Sequence, residues 1–171
     1  MASLIEELID TLQQEYEIYK KLIPIAENKT EVIVSNDLIT LQDITEREQA
    51  MIEAINALER KRDEVVINIG TVVNKDPGTI HIRTVIQILE KQPKEQKQLS
   101  EIHDNLKNTI QRLVEINNHN KSLIQQSLEM IEFNMNFIQS TRMSPGNLSY
   151  NKGASQFDMP SLQTGMFDAK Q

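Results

Sequence analysis

The sequence predicts an all-α fold: a bundle of long antiparallel, coiled-coil-like helices followed by a flexible C-terminal tail. Three observations predict it. Leu99 to Ile138 is a run of forty residues with neither Gly nor Pro, so nothing in it breaks a helix. Apolar residues recur every seven positions through most of the chain, the spacing that lines one stripe of an α-helix. Aromatic residues make up only 4% of the chain and Trp is absent, so the core must be aliphatic. At 1.5 Å per residue the forty-residue run alone would extend roughly 60 Å. One compact globule cannot enclose it, and it needs long helices beside it.

The first helix is expected over residues 3–34. Ile5, Leu12, Tyr19, Ala26 and Ile33 form a seven-residue series, with Ile9, Tyr16 and Ile23 alongside. Ser3 and Glu6 have the spacing of a capping box. Pro24 removes one backbone donor and crowds the carbonyl of Lys20. The stripe continues past it, which predicts a kink and not a stop. Ser35-Asn36-Asp37 is a polar turn signal: either the helix bends there, or a short turn starts a second helix with Asn36 or Asp37 as its cap.

The second helix is expected over 38–69. Ile44, Met51, Leu58 and Val65 form one series; Leu41, Ile55 and Ile69 belong to another, interrupted by Glu48 and Arg62. These two charges on an apolar stripe have two readings. Their stems pack while their heads reach water, or they form ion pairs between helices. Gly70 is the first Gly of the chain, and Thr71 to Gly78 follows as a loop. Asp76-Pro77 reads as N-cap and first helical position of a short third helix over 79–92, whose apolar face is Val85, Ile86 and Leu89. Its start at Ile80-His81-Ile82 is β-branched, which weakens that assignment. Pro93 ends it.

The last helix is expected over 94–140. Leu99, Leu106 and Leu113 make one series, and Ile110, Ile124, Ile131 and Ile138 another. Asn117 and Asn120 fall on the stripe. Either both look sideways into water, or they are a buried amide pair that fixes helix register, as a single Asn does in coiled coils. Residues 1–142 thus form the helical bundle. From Thr141 the chain carries three of its five Gly, two of its five Pro and a charge of +1, against −8 in the preceding residues. That composition cannot bury enough apolar surface to fold alone. Residues 143–171 are therefore expected to be a flexible partner-binding tail, with Phe157, Met159, Leu162, Met166 and Phe167 as apolar anchors.

The net charge of −7 argues against nucleic acid as a partner, since phosphate binding needs clustered Lys and Arg. The absence of Cys excludes disulfides and thiolate chemistry. No apolar run approaches the ~18 residues of a membrane span, and Met1-Ala2-Ser3-Leu4-Ile5-Glu6-Glu7 lacks a signal-peptide pattern. A soluble, cytoplasmic protein is expected. His103 and His119 lie sixteen residues apart, on nearly opposite helix faces, with His81 elsewhere. No Glu-x-x-His of a di-iron bundle occurs. Gly70 and Gly78 stand outside any phosphate loop, and Gly-x-Ser-x-Gly is absent. No enzyme activity, metal or cofactor is expected.

Three stretches carry a resemblance. They are Leu38-x-x-Leu41-x-x-Ile44 followed by Glu48; Ile55-x-x-Leu58-Glu59-x-x-Arg62; and Ile116-Asn117-x-x-Asn120-x-x-Leu123-Ile124-x-x-Ser127-Leu128-x-x-Ile131. With the step Tyr150-Asn151-Lys152-Gly153-Ala154, the chain over about residues 4–140 resembles the FlgN family of flagellar type III export chaperones. The resemblance implies a helical bundle that binds the C-terminal helical segments of flagellar hook-associated (hook–filament junction) proteins. It also implies that such a chaperone blocks their premature polymerisation and hands them to the export-gate component of the flagellar apparatus. Met130, Phe133 and Phe137 at the end of the last helix, with Phe157, Met159, Leu162, Met166 and Phe167 of the tail, suit such a helix; Met in particular tolerates varied partners. Tyr150 is the expected contact with the export gate. The chain alone should be a monomer or weak dimer. The alternative is a structural coiled-coil adaptor, or a subunit of another secretion machine, acting through tight oligomerisation.

Overall fold

A computed structural model describes residues 2–75 and 80–143 of the 171. Every regular element among them is helical: α1 (Ala2–Val34), α2 (Leu38–Val72), α3 (Ile82–Ile88) with a 3₁₀ turn at Leu89–Lys91, and α4 (Pro93–Met143). Residues Met1–Phe133 form one compact unit. Residues 134–143 continue α4 and are described by themselves.

α1 runs through Pro24 without stopping, because the apolar stripe carries packing on both sides of it. The helix already includes Ala2, so Ser3 lies inside it and is not its N-cap. Its end has a specific geometry. Asn36 sits at φ 55°, its N–H donates to the carbonyl of Ile33 at 3.1 Å, and the Asp37 N–H donates to that of Val32 at 3.2 Å. This paired closure around a left-handed residue is the Schellman motif, with Asn in the place Gly usually takes. Asp37 then caps α2, its carboxylate accepting from the Thr40 N–H at 3.1 Å and the Thr40 hydroxyl at 2.6 Å. Those bonds hold its carboxyl below the usual carboxylate range.

α2 ends the same way, and Gly70 is not where it ends. Asn74 takes φ 51°; its N–H reaches the carbonyl of Thr71 at 3.3 Å and the Lys75 N–H that of Gly70 at 2.9 Å. Gly70 serves another purpose. A Cβ there would lie 3.2 Å from Ile80 Cγ2, so the missing side chain lets the segment before α3 come down onto α2. That segment is extended at His81 (φ −124°, ψ 162°). α3 therefore starts at Ile82, later than the expected residue 79, as the β-branched Ile80 and Ile82 would favour. Asp76 and Pro77, the expected cap, lie outside the described residues.

Cross-contacts fix the topology. Glu15 meets Arg62, and Lys29 meets Glu48, so α1 and α2 are antiparallel. Ala26 and Thr30 meet Asn120, and Glu27 meets Arg112. Leu8 shares a buried cluster with Leu99, and Leu22 shares one with Leu113. α4 is thus parallel to α1 and antiparallel to α2. The larger core joins Ile5, Leu8 and Leu12 of α1, Val65, Val66 and Ile69 of α2, Val85 of α3, and Leu99, Ile102 and Leu106 of α4. A smaller one joins Leu22, Ala26, Ile55 and Leu113. Among them Ile5, Leu12, Ala26, Ile55, Val65, Ile69, Leu99, Leu106 and Leu113 belong to the seven-spaced series, and burying each Leu, Ile or Val stabilises by about 1.5–3 kcal/mol.

Candidate functional site

Two polar arrangements set the register of the bundle before any surface can be used. On α1, Leu8, Glu15, Leu22 and Lys29 are seven apart; on α2, Ile69, Arg62, Ile55 and Glu48 run the other way at the same spacing. Arg62 Nη1 donates to Glu15 Oε2 at 2.7 Å, and Lys29 Nζ to Glu48 Oε2 at 2.6 Å. The two charges interrupting the α2 stripe are therefore partners across the seam. Glu15 is fully buried (0% exposed), and its Oε1 has no protein partner. Burial pushes its carboxyl above the ordinary value, with Arg62 opposing. Burial likewise raises the neighbouring Tyr19, helped by Glu59 and Glu15.

The second arrangement is Asn120, which is 3% exposed. Its Nδ2 donates to the carbonyl of Ala26 at 2.9 Å, and its Oδ1 accepts from Thr30 Oγ1 at 2.6 Å. Asn117 is exposed. There is no amide pair. A single Asn joins α4 to α1, because only position 120 falls where the carbonyl of Ala26 and the hydroxyl of Thr30 converge.

Beyond Asn120 the character of α4 changes. Ile124, Leu128 and Ile131 form one stripe that faces the α1–α2 turn, where they line a small cleft of about 120 Å³ with Val32, Ile33, Leu38 and Leu41. All three are at least partly exposed, and in residues 134–143, taken by themselves, Met135 and Ile138 are exposed as well. Met130, Phe133 and Phe137 lie about half a turn round. They are 66%, 69% and 61% exposed. A helix that is apolar on opposite faces is normally covered on both. The turn adds its own exposed apolar groups, Val34, Leu38 and Ile39, none of which the sequence marked as a binding residue. Their signal was present: three large aliphatics flank the polar Ser35-Asn36-Asp37, where a solvated turn would carry none.

The structure thus brings Met130 and Phe133 to one end of the compact unit, with Phe137 further along the same helix. Tyr150, Phe157, Met159, Leu162, Met166 and Phe167 lie outside the described residues. Among the described residues no group of three or more His, Cys, Asp or Glu is placed to hold a metal ion. His81 and His103 border one shallow depression with Arg62, Asp63 and Arg83, where cations predominate. Among the described residues no helix is long and apolar enough to cross a membrane.

A second concave feature lies between α2 and α4, over α1. It is a cleft of about 530 Å³ whose floor is Leu22, Ile55 and Leu113. Ile52 and Ile124 form its walls, and Glu59 and Lys121 stand at its edges.

The family model described as FlgN protein matches residues 1–156. No curated protein and no solved structure matches the chain.

Proposed function

Because the chain belongs to the FlgN family of flagellar export chaperones, we propose that it binds the C-terminal helical segments of hook–filament junction proteins in the cytoplasm. It holds them back from premature polymerisation and delivers them to the export gate. The observation that carries this reading is the end of α4, apolar on two opposite faces and open to solvent on both. A client helix presents anchors at i, i+3/4 and i+7 and needs an apolar surface to accept them; Met130, Phe133 and Phe137 offer that same spacing. Phe157, Met159, Leu162, Met166 and Phe167 complete the site in this proposal, and Tyr150 meets the export gate. Residues 1–142 are the bundle and 143–171 the partner-binding tail. Ordering a tail on contact offsets ~2–5 kcal/mol of contact energy, which suits a client that must be released.

The test is calorimetric titration of the full chain with the C-terminal segment of a hook–filament junction protein, repeated with residues 1–143. Binding by the full chain alone supports the reading and puts the decisive contacts beyond residue 143. Equal binding by both keeps the function and assigns it to the bundle. Failure of both to bind a competent segment overturns the proposal.

A further inference from the structure

We propose that the cleft between α2 and α4 is a second helix-receiving site, filled by an amphipathic client helix of about three turns. This rests on the chaperone reading above. Among the described residues the bundle is framed by three long helices, α1, α2 and α4. At one end α3 packs over the groove between α2 and α4. Val85 and Leu89 are buried there in the larger core, with Val65, Val66 and Ile69 of α2 and Leu99 and Ile102 of α4. α3 spans only Ile82–Ile88. The depression lined by residues 80–84, Arg62 and His103 marks its N-terminal end, and the cleft opens in the same channel, three residues further along α2 at Glu59.

The chain itself therefore shows what this channel holds: a helix with aliphatic residues four apart. The cleft runs from Glu59 to Glu48 on α2 and from Leu113 to Gln125 on α4. At 1.5 Å per residue that is roughly 17 Å, the length of an eleven- or twelve-residue helix. Leu22, Ile55 and Leu113 are buried below, but Ile52 remains 44% exposed on the wall. The edges carry opposite signs, Glu59 on α2 and Lys121 on α4. The fitting helix has aliphatic residues at i, i+4 and i+7, a basic residue on the α2 side and an acidic one on the α4 side. The exposed end of α4 and this cleft would then hold successive helical stretches of one client.

The chain has no Cys, so Asn56→Cys in the full chain gives a single site for a nitroxide beside the cleft. Its electron-spin spectrum is recorded while the C-terminal segment of a hook–filament junction protein is added, with binding followed separately by calorimetry. Immobilisation of the label on binding, with a tenfold or greater loss of affinity in Ile52→Glu, supports the proposal. Binding with a label that stays mobile overturns it and leaves the chaperone reading intact. A label already immobile without client also overturns it. In that case concentration dependence assigns the cleft to a second copy, and its absence assigns it to the chain's own residues. If the wild-type chain does not bind at all, both readings fall together.

Discussion

Arg62 and Glu48, fourteen residues apart on α2, carry opposite charges, and each closes on its counter-ion on α1, at 2.7 and 2.6 Å. The polarity of the two pairs is reversed along the seam. Sliding α2 by two heptads would set Glu48 against Glu15. Leu22 and Ile55 sit between the pairs in one buried cluster, so a one-heptad slip would put charge against aliphatic. The alternation selects one register out of the several that a seven-residue repeat allows, the use of buried polar groups best attested in coiled coils.

Lys29→Glu or Glu48→Lys alone should destabilise the bundle by about 1–2 kcal/mol, since each leaves like charges facing across a nearly closed seam. The double exchange should recover most of that loss. Urea denaturation of the four proteins measures the coupling; additive losses would show that the pair does not act as one.

Arg62→Ala strands a fully buried carboxylate and should cost about 3 kcal/mol. Glu15 also makes stability depend on pH. Its folded pKa lies above that of an unfolded carboxyl, about 4.3, so the folded state binds the proton more readily. Its contribution to stability then falls as pH rises from about 4 through the raised folded pKa. Measured against Glu15→Gln, which keeps an acceptor for Arg62 but does not titrate, the wild type should lose stability across that window. A wild type that gains stability relative to Glu15→Gln as pH rises would contradict the burial of Glu15.

Asn120→Ala removes the two bonds that join α4 to Ala26 and Thr30, and should cost roughly 1–3 kcal/mol. Asn117→Ala, at an exposed position, should stay within about 0.5 kcal/mol of wild type. Thermal unfolding of the two variants separates them, and equal effects would remove Asn120 from its role.

Met130→Ala, Phe133→Ala and Phe137→Ala combined should leave the melting temperature and helicity of the free chain nearly unchanged, because all three side chains are exposed. Affinity for the client segment should fall at least tenfold, about 1.4 kcal/mol. A large loss of stability would place these residues in the core, and unchanged affinity would move the client elsewhere.

The fold was legible because its core is built from repeats that survive in one dimension. Ile5, Leu12, Ala26 and Ile33, and Leu99, Leu106 and Leu113, are both seven-spaced and buried. Glu48 and Arg62 were visible as charges at seam positions. Their partners were not, since Glu15 and Lys29 gain meaning only once α1 is laid against α2. The end of α2 was misplaced at Gly70 because a helical Gly beside Ile80 looks like a terminator in sequence, while Asn74, the residue in left-handed conformation, does not. The apolar groups at the end of α4 could be named in advance, but the cleft could not. Its lining comes from α1, α2 and α4 together, so it takes shape only once the three helices are laid side by side.

The interlocking along α4 is uneven, and this grades the cost of opening it. From Leu99 to Asn120 each turn is tied to α1 by buried aliphatics or by the Asn120 bonds, so its amides should exchange only when the bundle opens as a whole. Past Ser127 lateral cover thins, and exchange there should need only local fraying. If the proposed client sits on that end, it should leave by the melting of a few turns on a fast timescale, while the rest of the helix stays folded.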